Sequence, residues 1–124
     1  MFTDIHIKVI PHAEQRYDTF GDYWVDAEGS LQIRISQFGD DRITRGIAIH
    51  EYLEADRCAQ RGLPFEEIDS FDLQHLDHED PGCLPEAPYH EEHMQSMQID
   101  RVLANQEGIP WDEYYNAAPI GAKP

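Results

Sequence analysis

The hydrophobic period of this chain changes once, near Asp40-Asp41, and that switch constrains the fold more than any other feature. Before it, apolar residues recur in twos; after it, they recur in threes and fours. In residues 3–10, Ile5, Ile7 and Val9 alternate with His6 and Lys8, which predicts a half-buried strand ended by Pro11. Residues 11–20 keep no period and read as a loop. Tyr23-Trp24-Val25 leads through Asp26-Ala27-Glu28-Gly29 into Leu31, Ile33 and Ile35, the pattern of a β-hairpin around a short turn. Residues 3–36 are therefore expected to form a small antiparallel sheet with one apolar face.

Beyond the switch, either aspartate can cap a helix and complement its positive end. Ile43, Ile47, Ile49, Leu53 and Ala59 then predict a helix over 42–61, stopped by Gly62 with Pro64 just beyond. Residues 62–87 form an acidic connecting region, weakly helical over 65–76 and loop-like around Pro81-Gly82 and Pro85. Pro88 suits the first turn of a second long helix over 88–107, closed by Gly108 and Pro110. Residues 108–124 are a tail with one more short helical turn. Strands first and helices afterwards predict an α+β fold, a sheet of about three strands with helices on one face. All 124 residues suit a single domain.

Charge narrows the function classes. Lys and Arg number 9 against 25 Asp and Glu, a formal charge of 9 − 25 = −16. A surface this acidic excludes direct, broad binding to a nucleic-acid backbone, which needs clustered cations. It also disfavours anionic membranes. No apolar run approaches the ~20 residues of a membrane span, and Met1-Phe2-Thr3-Asp4 lacks a basic leader, so a cytoplasmic setting is expected. Two cysteines, Cys58 and Cys83, fit reduced thiols, with a disulfide between them left open.

His50-Glu51-Tyr52-Leu53-Glu54, in the middle of the first long helix, carries the main chemical signal. Positions i and i+4 of a helix lie on one face, so His50 and Glu54 are placed to share one metal ion. Zinc accepts imidazole nitrogen and carboxylate oxygen alike. Glu51 is rotated about 100° further round, beside the ion, where a carboxylate takes a proton from a water that zinc has acidified to a pKa of about 7. Ile43, Ile47, His50, Glu54 and Cys58 form one stripe, and a cation offsets the cost of burying its carboxylate.

A third ligand is expected from the second helix, where His90-Glu91-Glu92-His93 offers two histidines at i and i+3. His93 is favoured because Met94 and Met97 mark a packed face. His90 is next, as ligand or substrate-side group, and Glu92 is third. Tyr89 is a candidate for polarising a bound carbonyl. His6, His12, His75 and His78 read as surface histidines. An equally plain account makes His50 and Glu54 an exposed helical pair and the acidic first turn of the second helix a solvated face that complements the dipole.

The arrangement resembles a minimal zincin, the zinc metallopeptidase core in which a small sheet precedes a His-Glu helix and a later helix adds a ligand. The order of Ala48-Ile49-His50-Glu51-Tyr52-Leu53-Glu54-Ala55, Ile68-Asp69-Ser70-Phe71-Asp72, Ala87-Pro88-Tyr89-His90-Glu91-Glu92-His93 and Gly108-Ile109-Pro110-Trp111 is similar to that of small phage and prophage proteins of unassigned function. That resemblance spans about residues 30–115 and implies a phage or prophage origin, hence the cytoplasm of a bacterial host. It also implies a metal-dependent hydrolase acting on a peptide or protein substrate. One departure bears on the metal: zincins carry a second histidine where this chain has Glu54. The extra carboxylate moves preference from zinc towards harder divalent ions such as manganese or iron.

Two other functions fit the same residues. From Gly62 to Asp100 there are eleven acidic residues and no Lys or Arg, a stretch that accounts for −11 of the charge. Such a surface can imitate a phosphate backbone and occupy a basic protein partner, an inhibitor rather than an enzyme. A metal site that only ties two helices together is the third possibility.

Overall fold

The computed structural model describes residues 2–122. Its three strands, β1 (Ile5–Ile10), β2 (Gly21–Val25) and β3 (Leu31–Ser36), form one sheet with β3 in the centre. The hairpin forms as expected: β2 and β3 pair antiparallel from Gly21↔Ile35 to Val25↔Leu31, around a turn in which Gly29 takes a φ of 84°. β1 pairs parallel to β3, from Ile5↔Leu31 to Ile10↔Ser36, so the sheet is mixed rather than antiparallel. Strand directions do alternate along the chain. Alternation cannot encode neighbour order, however, and β3 inserts between β1 and β2, next to the strand that runs its own way.

The same insertion overturns the half-buried reading of β1. Leu31, Ile33 and Ile35 on the central strand are fully buried, whereas Ile5, Ile7 and Val9 on the edge are 43%, 49% and 53% exposed. The first long helix, α1 (Asp41–Gln60), packs against β2 and β3, leaving the edge strand's apolar side uncovered.

α1 begins where the period switches because the Asp40 side chain accepts a hydrogen bond from the Arg42 backbone N–H at 2.9 Å. It ends at Gly62, whose φ of 79° suits the left-handed residue after a helix. Three helices follow: α2 (Phe65–Gln74), α3 (His90–Gln106) and the short α4 (Trp111–Tyr115), with a 3₁₀ turn at Pro81–Cys83 before α3. α3 starts two residues later than the sequence suggests, since Pro88 and Tyr89 precede its first turn. The class is therefore α+β, a three-stranded mixed sheet with four helices.

α1 and α3 lie side by side, and small residues let them approach closely. Ser96 is fully buried, and its hydroxyl donates to the His50 carbonyl at 3.1 Å. Gly46 is required on α1 because a Cβ there would collide with the Tyr114 hydroxyl from α4. Arg61, just past α1, clamps the N-terminal end of α3: its Nε donates to Glu92 at 2.7 Å and its Nη2 to the Pro88 carbonyl at 2.7 Å. These contacts set the register in which residues of the two helices face one another. Among the described residues no helix is long and apolar enough to cross a membrane.

Ile33→Ala should destabilise the protein by about 2–5 kcal/mol, the usual cost of emptying a buried isoleucine site. Ile7→Ala, one strand away on the exposed edge, should cost within about 0.5 kcal/mol, as surface substitutions do. Urea unfolding midpoints of the two variants check this contrast.

Candidate metal centre

His50 and Glu54 stand one turn apart on the buried side of α1, 6% and 3% exposed, and His93 reaches them from α3. Three atoms converge. His50 Nε2 is 3.1 Å from Glu54 Oε2, His93 Nδ1 is 2.9 Å from the same oxygen, and the two nitrogens are 3.2 Å apart. A tetrahedral ion with bond lengths near 2.0–2.1 Å separates its ligand atoms by about 3.3 Å. The triangle is thus slightly tighter than one closed around zinc. His93, favoured in the sequence over His90, is the histidine of α3 that lies beside this pair.

Two of these side chains are oriented by a second residue, and an acid stands near the third. His50 Nδ1 lies 2.6 Å from Asp100 Oδ2 on α3. A neutral imidazole that gives its Nδ1 proton to that carboxylate presents a lone pair at Nε2, the tautomer a metal needs. His93 Nε2 lies 3.0 Å from Asp80 Oδ1. Tyr23, on β2, donates its hydroxyl to Glu54 Oε1 at 2.8 Å, which turns Oε2 towards the histidines. Tyr23, Asp80 and Asp100 were not legible as site residues. Tyr23 reads as a core strand position, and Asp80 and Asp100 are two acids among twenty-five.

Ion-free, the cluster holds protons tightly. Burial alone would lower the His50 pKa, but hydrogen bonds to Asp100 and Glu54 and their charges outweigh it and raise it to about 10. Burial would raise Glu54, yet the two histidines pull it down to about 2. His93 is likewise raised against its own burial, first by Asp80 and then by Cys83 and Glu54, and Asp80 is lowered in return. Two protonated rings 3.2 Å apart repel one another. A cation in their place would leave both imidazoles neutral and keep Glu54 paired.

Glu51 behaves differently from its neighbours. It makes no hydrogen bond among the described residues, and its carboxyl packs against the backbone of Gly21, where a Cβ would overlap it. Burial, followed by the Glu54 charge, pushes its pKa well up. The carboxyl thus stands close to the cluster, electrostatically coupled to Glu54, His50 and His93, and unengaged among the described residues.

Three sequence candidates are placed elsewhere. His90 does not join the ligands; its Nδ1 meets the Gly82 carbonyl at 2.9 Å. Glu92 pairs with Arg61. Tyr89 is buried with its hydroxyl committed to Asp72, and its ring stands edge-on to His93 at 6.1 Å, so it walls the site rather than facing a substrate carbonyl. His12, expected at the surface, is packed instead, its Nδ1 2.9 Å from Ser36 Oγ and its side chain 13% exposed. Cys58 and Cys83 are both free thiols. Two surface cavities of about 350 and 460 Å³ lie against α2, and neither is lined by a residue of the cluster.

Comparison with known protein families, with curated proteins and with solved structures finds no match for this chain.

Asp72 offers a test of the wall next to the site. It accepts hydroxyls from Tyr17 and Tyr89, and burial raises its pKa to about 6 from 3.8. The folded protein holds that proton more tightly than the unfolded chain does. The stability it lends is therefore complete below 3.8 and falls away as pH rises through about 6. Carboxyl titration by NMR should find Asp72 well above the ordinary aspartate range; a value near 4, where exposed aspartates titrate, would contradict this packing.

Proposed function

We propose that the chain is a metal-dependent hydrolase of zincin type, with one divalent ion held by His50, Glu54 and His93 and with Glu51 as general base. One observation supports this reading above the others: His50 Nε2, Glu54 Oε2 and His93 Nδ1 converge within 3.2 Å, the first two aimed by Asp100 and Tyr23, while Glu51 stands beside them unbonded. Three protein ligands and an open position are the set that catalytic zinc uses, whereas structural sites are closed by a fourth. A bound ion would polarise a carbonyl and acidify water. The protein's own part is then to hold the geometry and accept the proton. Tyr23 keeps Glu54 turned inward, Asp100 keeps His50 in the ligating tautomer, and Glu51 takes the proton and returns it to the leaving group. Amide bonds of a peptide or protein are the substrate class that the zincin resemblance suggests. Zinc is the first choice of metal, and the carboxylate ligand leaves manganese and iron as alternatives.

A structural ion tying α1 to α3 is the second reading, favoured by the low exposure of the ligands and by the absence of cluster residues from both cavities. Glu51→Gln separates the two. Under the catalytic reading this variant keeps its metal, measured by elemental analysis, and loses about 10²–10⁴-fold in hydrolysis, the usual contribution of general-base catalysis. Under the structural reading it keeps both its metal and its behaviour.

Adding zinc to chelator-treated protein should stabilise it by about 2.7 kcal/mol once free zinc reaches about 100 times its Kd. His50→Ala should abolish most of that gain in a thermal unfolding series. Equal zinc responses in the two proteins would remove the support for this site.

A further inference from the structure

The opposite edge of His93 faces a second set of ligating side chains. Asp80 caps the 3₁₀ turn Pro81–Cys83, and such a turn repeats every three residues, so Asp80 and Cys83 project to the same side. Cys83 Sγ lies 2.9 Å from Asp80 Oδ2, and Asp80 Oδ1 lies 3.0 Å from His93 Nε2. One ligand atom from each of the three falls within 4.8 Å of the others. The turn is seated on the imidazole, since a Cβ on Gly82 would come 2.6 Å from His93 Cγ, and the His90–Gly82 bond staples it to α3. Tyr115, from α4, closes the far side with its hydroxyl 3.0 Å from Asp80 Oδ2 and 3.9 Å from Cys83 Sγ.

Two features point to a ligand there. His93 Nε2 is buried and has no hydrogen-bond partner, so the nearby Asp80 oxygen is out of line to satisfy it. In addition, Glu51, Glu54, Asp80 and Asp100 surround two histidines, and no Lys or Arg pairs with any of the four among the described residues. A single divalent ion between His50 and His93 does not balance four acidic side chains.

From these contacts we propose that Asp80, Cys83 and His93 Nε2 form a second divalent-metal site, with His93 bridging it to the ion at His50 and Glu54. The pairing rests on the first site, because His93 reaches that one through Nδ1. The donor set of sulfur, nitrogen and oxygen is softer than that of the first site and suits zinc or cobalt rather than calcium or magnesium. Two protons leave to solvent on filling: the Cys83 S–H proton, giving a thiolate, and the one N–H proton of neutral His93, giving an imidazolate between two ions. Occupancy of the second site therefore rises with pH.

Titration of the chelator-treated full-length protein with cobalt(II), under a non-chelating reductant, reads both sites by absorption. Two equivalents are expected to bind, with near-ultraviolet thiolate-to-cobalt charge transfer growing alongside the second. Cys83→Ser should remove that band and one equivalent while leaving the visible cobalt bands of the first. Cys58→Ser should change neither, which separates the two thiols. Saturation at one equivalent overturns the bridged pair, and one equivalent that carries the thiolate band puts the ion at Cys83 rather than at His50 and Glu54. One equivalent without the band leaves the first site standing, and no binding at all overturns both.

Discussion

Everything distinctive about this molecule depends on one buried oxygen, Oε2 of Glu54. It lies on the inner face of α1, within hydrogen-bond reach of two imidazoles that belong to different helices. A carboxylate that is 3% exposed requires compensation on every side. The fold supplies it through Tyr23 from the sheet, His50 from the same helix and His93 from α3. The sheet, the two long helices and the turn before α3 are each held against this point. The interhelical contacts that set its geometry, Ser96 on the His50 carbonyl and Arg61 on Glu92, carry no chemistry of their own.

Ion-free, that point is an imidazolium–carboxylate network; with a cation it becomes a ligand set. Both states neutralise Glu54, but they make opposite demands on the histidines. The proton network is complete when His50 and His93 are charged, and metal needs both neutral. The carboxylate behind the His50 ring serves either state, since Asp100 stabilises an imidazolium and also fixes the ligating tautomer. Glu51 alone has no partner in the proton network among the described residues, and the proposed hydrolase would give it a task.

Much of this was legible along the chain. The change of period at Asp40, the hairpin glycine and the stop at Gly62 mark local physics that the structure keeps. The His50–Glu54 pairing follows from helix geometry alone; His93 does lie beside that pair, but Met94 and Met97 do not mark a packed face, since Met94 is exposed. What local pattern could not carry was neighbour order and distance in three dimensions. Alternation in Ile5, Ile7 and Val9 is the same whether β1 is covered or sits at an uncovered edge beside β3. Tyr89 stands out by its place beside His90, and Tyr23 reads as an ordinary strand position. The Tyr89 hydroxyl is drawn to Asp72 on α2, and the Tyr23 hydroxyl, on the sheet that packs against α1, to Glu54. Asp80 and Asp100 acquire their roles only through the packing of α3.

The central claim is that a cation sits among His50 Nε2, Glu54 Oε2 and His93 Nδ1. Crystals grown with zinc, with diffraction recorded on both sides of the zinc absorption edge, address it directly. An anomalous difference peak bonded to those three atoms is the result this account predicts. A map in which the three side chains keep their contacts and no anomalous peak lies between them would contradict it.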